Sequence, residues 1–499
     1  MQSVSESVKA DVVVVGGGGS GLAAAIGATE AGAKVLLLEK NPQLGGSTRL
    51  SIGSITATQT ALQRRAGISD SPDEHFEDMG KFAGDLAPRD NLGLRRVLVD
   101  NVSDTVAWLT SLGVTFFGPM PEPPHRKPRM HNILPNSRAY IYYLEREARR
   151  IGVEIRLNAK ALDIVVEGGS VAEIKALLNG RPQTIRTPSV ILASGDFTAG
   201  RELKAEFAPR HADTDAINPT NTGDGQAMAR RLGGTIRNGD LFVSQMRFVQ
   251  PPNQSMLLKL PPNKILTSSM RAAMRYAPPA ILRPFILSFV TTYLAPEHAL
   301  FKAGAILVNK AGKRFTDELQ QPAFDIPAQP DKSAYIVLDG RLAEQFSAWP
   351  NFVSTAPGVA YAYVPDYKQT RKDIYHEGAT IAGLAASLKV PVTDFEATVK
   401  TYNAGGGEYP RGARRPLDEP TFVALGPVCN WVVLGDGGVA VTSRHEVTDE
   451  KGVVIPGLYA AGSTGQGGLL LEGHGHHLGW AFTSGRRAGR NAASYSAGV

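Results

Sequence analysis

The sequence predicts an α/β fold built on a buried parallel sheet, and three observations carry that prediction. Val12 to Val15 are four consecutive β-branched residues, the pattern of a strand buried on both faces, and they run into a glycine cluster and then Leu22, Ala23, Ala24 and Ala25. A second apolar run at 35–38 ends in Glu39. A third piece, VVIPGLYAAG at 453–462, returns to the same strand-and-small-turn pattern far along the chain.

Within the first turn, Gly16, Gly18 and Gly21 fit G-x-G-x-x-G. Its glycines permit the sharp turn, let backbone approach a pyrophosphate, and let the helix pack close to the strand. The phosphates then sit on a helix N-terminus, where free N–H groups and the dipole favour an anion. The fingerprint alone is common in loops, so its context decides. Glu39 lies 18 residues after Gly21 at a strand tip, near the spacing at which an acid reaches a ribose. Strand, helix and strand together read as dinucleotide binding.

At 499 residues the chain exceeds one ordinary core, and two or three domains are expected. Apolar residues make up 42% and charged residues 20%, the balance of a globular protein. The net charge of +6 comes without a Lys/Arg block, so nucleic-acid binding is not implied. Cys429 is the single cysteine, which excludes an internal disulfide, a cysteine zinc site and a thiol–disulfide pair. Redox chemistry must therefore come from a bound cofactor. The N-terminal MQSVSESVKA has no apolar core of a signal peptide, and a cytoplasmic location is expected. The segment 277–296 is apolar but interrupted by Arg283 and prolines. Three readings stay open for it: a buried helix, a lid over an apolar pocket, or a peripheral membrane contact.

Taken in order, 71–113 reads as helical, with 90–108 as one amphipathic helix. The stretch 116–136 is proline-rich and basic and reads as a loop, with His125, Arg126, Lys127, Arg129 and His131 solvated or facing an active-site opening. A helix is expected at 137–150, a small sheet around Ala161 and Val165, a buried strand and turn at 189–197, and a turn into a helix at 221–234 with Asp224 as N-cap or cofactor-facing residue. From 248 to 420 the composition shifts to more Pro, Arg, Tyr and Trp. That marks an inserted domain between a first part, 1–247, and a second part, 421–499, of the nucleotide-binding unit.

These pieces, in this order, resemble the fumarate reductase and succinate dehydrogenase flavoprotein superfamily, which includes the 3-ketosteroid dehydrogenases. The matching motifs are VVVVGGGGSGLAAA, LLLEKNPQLGGST, SVILASGDF, NTGDGQAMA, AILVNKAGKRFTDE and VIPGLYAAG. The resemblance implies a Rossmann-like FAD-binding domain built from both ends of the chain, with an inserted α+β substrate-capping domain. It implies noncovalent FAD, because the turn at 45–48 has no histidine. Carried over by position, Gly16, Gly18, Ser20 and Gly21 hold the pyrophosphate and Glu39 the ribose. Ser47, Thr48 and Gly53 lie along the flavin, Ala161 meets the adenine, and Asp224 the ribityl or phosphate region. Gly462, Ala481 and Phe482 approach the flavin from the C-terminal piece. Lys40, Gly46, Ser194, Gly195, Ser463 and Leu478 complete the set, with the last helix starting near Leu478.

Departures from the dicarboxylate pattern matter as much. The resemblance places Pro322 where fumarate reductases carry their proton-donating arginine, His476 at the carboxylate-clamping arginine, and Val433 and Leu434 at paired histidines. The ketosteroid branch fits better: Gly475 falls where that branch binds the ketone oxygen through a backbone N–H, although its tyrosine corresponds to Leu471. His474, His476 and His477 then read as acid–base groups, as caps of the last helix, or as metal ligands; the first suits their near-neutral pKa, and no metal is expected. Tyr361, Tyr363 and Tyr367 offer a proton donor from the capping domain, or are core of a strand; Tyr363 is the candidate. The apolar run Leu469 to Leu471 points to a bulky substrate. The expected activity is desaturation or reduction of a carbon–carbon bond next to a carbonyl in an apolar ketone or enone, with an unidentified electron acceptor. An oxygen-using flavin oxidase of secondary metabolism and a non-catalytic FAD-binding subunit are the alternatives.

Overall fold

The computed structural model describes residues 8–251, 262–276, 278, 283, 287, 290–356 and 360–499. Val12–Val15 is a fully buried strand, paired in parallel with Val35–Leu38 on one side and Ser189–Leu192 on the other. Glu154–Arg156 extends the sheet beyond Val35–Leu38, and Val454–Ala460 extends it beyond Ser189–Leu192. Glu446–Thr448 closes it as an antiparallel edge. Both ends of the chain therefore build one sheet.

The helices follow the same logic. Gly19–Glu30 leaves the glycine turn and packs against the C-terminal helix, His476–Ser496. Small residues let the two backbones touch: a Cβ on Gly485 would overlap the Ser20 carbonyl, and one on Gly489 the Ala24 carbonyl. One apolar core draws its residues from 10–229 and 439–493, a second from 246–428. The second surrounds the long strand Phe422–Gly435, which pairs antiparallel with Phe242–Phe248, Ala334–Leu338 and Tyr375–Gly378.

Several sequence expectations need correction. The stretch 116–136 is not a loop throughout: Thr115–Met120 and Met130–Leu134 pair antiparallel, and Ser54–Thr56 joins them. Prolines at 119, 121, 123, 124, 128 and 135 mask that pattern in the sequence. The region 71–113 is three helical pieces, Pro72–Phe82, a 3-10 turn at Gly84–Arg89, and Leu92–Leu112 capped by the Asn91 side chain. The helix expected to start near Leu478 begins at His476. Gly223, in a left-handed conformation, is the N-cap of Asp224–Arg231, so Asp224 is its first helical residue. Leu469, Leu470 and Leu471 are buried, the first and last in the main core, so they do not present an apolar wall to a substrate. Half of 277–296 lies outside the described residues; Arg283 pairs with Asp366 at 3.0 Å. Among the described residues, no helix is long and apolar enough to cross a membrane.

Candidate active site and cofactor cradle

The glycine turn forms a cradle for an anion. The first helix has Gly18 as its N-cap and no side-chain cap, which leaves first-turn N–H groups for a ligand. Gly16 adopts φ +109°, and a Cβ on Gly21 would overlap the Gly16 carbonyl oxygen, so close helix–strand packing demands glycine there. Beside Gly18 the space is open, with the nearest atom to a built Cβ at 3.8 Å. The turn at 45–48 lies against it: Gly45 N–H donates to Gly17 O (3.0 Å), and Gly19 N–H to Thr48 Oγ1 (3.2 Å). Gly46 comes close to Gly18, with a built Cβ 3.4 Å from the Gly18 Cα.

Glu39 is buried at the strand tip, where Oε2 accepts from Gly17 N–H (2.7 Å) and Oε1 from the Asn41 backbone and side chain (2.8 Å each). That fixes the carboxylate beside the turn. Lys40 Nζ pairs with Asp224 (2.6 Å) and also donates to Thr222. Ser194 Oγ accepts from Gly225 N–H (3.1 Å), and Gly195 O accepts from Thr464 Oγ1 (2.8 Å) and Gln226 Nε2 (2.9 Å). From the C-terminal piece, Gly462 N–H donates to Ser484 Oγ, and its carbonyl accepts from Trp480 Nε1. A Cβ on Gly462 would lie 2.6 Å from Ser20 Oγ, and one on Gly19 would lie 2.7 Å from the Phe482 ring. Ser463, Leu478 and Ala481 flank these contacts in sequence. Gly53 adopts φ +90° and accepts from the Tyr140 hydroxyl (2.8 Å). Ala161 is buried in the strand Ala159–Glu167.

Sequence reasoning missed the amides that lock this cradle. Ser47 Oγ accepts from Asn218 Nδ2 (3.0 Å) and Asn221 Nδ2 (2.9 Å), and Asn221 also donates to Asp196 (2.8 Å). The asparagine pair just before TGDG was the available signal.

The segment 472–477 leads into the C-terminal helix. Gly475 is its N-cap at φ +92°, and a Cβ there would lie 2.5 Å from Thr56 N, so the turn presses against the strand Ser54–Thr56. His474 Nδ1 meets Glu122 Oε1 at 2.5 Å, and His474 N–H donates to the same oxygen (2.8 Å). The hydrogen bond to Glu122 raises the pKa of His474, and His474 holds Glu122 below the usual carboxylate range against the upward push of burial. His477 Nε2 lies 3.1 Å from Asp436.

His476 turns inward. Its Nδ1–H donates to Glu472 O (2.5 Å), and its Nε2 lies 3.3 Å from His75 Nε2. The rings of His75, His125 and His476 form a buried triangle with centroids 5.3–5.6 Å apart. Burial pushes His476 down to about 3, His125 to about 4, and His75 well below its ordinary value, so all three are neutral at neutral pH. Behind them Arg129 is wholly buried. It donates twice to Asp70 (2.7 Å each), to Asp78 (2.6 Å) and to His125 Nδ1 (3.0 Å).

His125, Arg129 and His131 are therefore buried rather than solvated, a correction with a clear cause: Asp70 and Asp78, from the region before the strand pair, neutralise the cation. Tyr363 sits half-buried before the helix Val364–Thr370, its N–H donating to Asp366 (2.9 Å). Tyr367 is fully buried and donates to Ser354, and Tyr361 packs on Trp349 and Phe352. Among the described residues no hydrogen bond joins these tyrosines to 472–477. Pro322 is buried and opens a 3-10 turn, and Glu318 is held by Arg314 (2.6 Å) and Arg414 (3.1 Å).

A family described as "FAD binding domain" matches residues 11–256 and 275–470. The chain belongs to that family. FAD is accordingly its cofactor, and the uncapped helix, the open space at Gly18 and the fixed Glu39 fit that group. A fumarate reductase (cytochrome) of Shewanella frigidimarina is 28% identical over 97% of this chain and 77% of its own length. The open conformation of a flavocytochrome c3 fumarate reductase superposes with a TM-score of 0.72, at 26% identity, over 99% of this chain and 79% of that one. A 3-ketosteroid Δ1-dehydrogenase from Sterolibacterium denitrificans shares the fold, with a TM-score of 0.65 at 18% identity over 98% of this chain and all of that one. This chain is an FAD-dependent oxidoreductase, and with the ketosteroid dehydrogenase it shares the fold.

Proposed function

We propose that this flavoprotein desaturates or reduces a carbon–carbon bond next to a carbonyl in an uncharged, largely apolar ketone or enone, with FAD held noncovalently. One observation carries the reading: Arg129, the cation behind the histidine triangle, is committed to Asp70 and Asp78, and the three histidines are neutral. A dicarboxylate needs a free cation to offset the cost of leaving water, and an uncharged carbonyl does not. Pro322 and His476, at the positions where the resemblance puts arginines, favour the same conclusion. The similarity to fumarate reductases then reflects the shared cofactor scaffold, and the ligand set lies nearer the ketosteroid branch.

Bound FAD supplies the hydride chemistry. The chain's own residues do the rest. Gly475, whose close approach to Thr56 excludes a side chain, presents backbone at the helix N-terminus, where a carbonyl oxygen gaining charge is stabilised. His474, kept protonated to higher pH by Glu122, delivers or accepts the proton at the second carbon. His476 holds the turn through Glu472 and so positions Gly475. The test is anaerobic mixing of the oxidised holoenzyme with saturated polycyclic ketones. Flavin bleaching by these ketones and not by succinate supports the reading; bleaching by succinate alone overturns it.

A further inference from the structure

Between Asp240 and Glu297 the sequence has no acidic residue, and six cations fall there: Arg247, Lys259, Lys264, Arg271, Arg275 and Arg283. Lys and Arg number 53 over the whole chain and Asp and Glu 47, so this one stretch accounts for the entire net charge of +6 and the remainder is neutral. Charge segregated in this way marks a surface that meets an anionic partner.

The helix Lys264–Tyr276 lies in that stretch, and one of its sides is anchored to the protein. The Pro262 carbonyl accepts from the Tyr143 hydroxyl (2.6 Å), the Asn263 side chain accepts from Leu266 N–H (2.8 Å), and the buried Thr267 accepts from the Thr115 hydroxyl (3.3 Å). On the opposite side Ile265, Ser269, Ala272 and Tyr276 follow one another at helical spacing, all exposed, with Ile265 at 82% and Tyr276 at 74%. Lys264, Ser268 and Arg271 form a second exposed row directly beside them. A surface helix normally turns its apolar stripe inward; this one shows water an apolar row edged by cations.

We propose that the outward face of Lys264–Tyr276 binds the surface of an anionic lipid bilayer, with the helix lying in the plane of the headgroups. Lys264 and Arg271 meet lipid phosphates and carboxylates, Ile265 enters the acyl boundary, and the Tyr276 ring takes the headgroup level that suits an amphipathic aromatic. Nucleic acid would use the cations and leave Ile265 in water, and a second copy of the same face would bring like charges together; a bilayer satisfies both rows at once. The apolar row holds only two large side chains, so attraction between charges carries much of the attachment, which is therefore reversible and weakened by salt.

The experiment is co-sedimentation of the FAD-loaded protein with vesicles of phosphatidylcholine, alone or with about one quarter phosphatidylserine. At about 0.1 M salt the protein is expected to sediment with the phosphatidylserine vesicles and to stay in solution with phosphatidylcholine alone, and about 1 M salt releases it. Arg271→Glu and Ile265→Glu should each weaken binding about tenfold or more. Both side chains are exposed, and FAD content with melting temperature confirms that the variants are folded. Lys451→Glu makes the same change of charge at an exposed turn far along the chain and should leave binding as it was. No sedimentation with phosphatidylserine, equal sedimentation with both vesicles, full binding by Ile265→Glu, or a loss in Lys451→Glu as large as in Arg271→Glu overturns the proposal. None of these readings uses turnover, so they stand apart from the outcome of the flavin bleaching assay.

Discussion

Arg129 meets Asp70 in a bidentate pair, with Nε and Nη2 each 2.7 Å from a carboxylate oxygen and all of it out of contact with water. Removing one partner from such a pair strands a buried charge. Arg129→Met is therefore expected to destabilise the protein by about 3–5 kcal/mol. The combined Arg129→Met, Asp70→Asn, Asp78→Asn variant should recover most of that loss. Urea unfolding of the holoprotein, single variant against triple, is the check.

The neutral histidines make the fold acid-sensitive, and the direction follows from their depressed pKa values. In the unfolded chain they bind protons near pH 6.5, whereas in the fold His125 does so only near 4 and His476 near 3. Stability is thus fully present above pH 6.5 and falls as the pH drops below it, by about 1.4 kcal/mol per pH unit for each such histidine. His476→Phe should flatten the slope between pH 6 and 4.5 by one histidine's share, read from unfolding midpoints across that range.

His474 and Glu122 shift in opposite senses, so their pairing is strongest between the pH at which Glu122 ionises and the pH at which His474 loses its proton. Glu122→Gln should lower the His474 pKa. If His474 carries the proton, the basic limb of the kcat profile moves to lower pH in that variant while FAD content is unchanged. A profile that does not move contradicts the role.

Noncovalent attachment has a direct test. Acid precipitation should release the flavin into the supernatant, since the turn at 45–48 carries no histidine to hold it. Gly21→Ala, whose Cβ would overlap the Gly16 carbonyl, should reduce FAD content several-fold and lower the melting temperature, as overpacking at a close helix–strand contact costs about 1–3 kcal/mol.

The cofactor half of the protein was legible because its signals are local. Val12–Val15, the glycine turn and Glu39 each declare their environment within a few residues. The substrate half was not, because burial there depends on partners far apart in sequence. Arg129 and His125 read as solvated charges until Asp70 and Asp78 are placed against them, and His75 meets His476 across 401 positions. The Leu469 to Leu471 run failed for the opposite reason: apolar side chains identify a buried place and not whether core or ligand fills it.

A site built as proposed takes an uncharged carbonyl compound and not a dicarboxylate. The most direct measurement is the anaerobic reoxidation of the reduced holoenzyme, followed by flavin absorbance, on mixing with a polycyclic enone such as 4-androstene-3,17-dione or with fumarate. The flavin colour is expected to return with the enone and not with fumarate. Return of the colour with fumarate and not with any enone would contradict it.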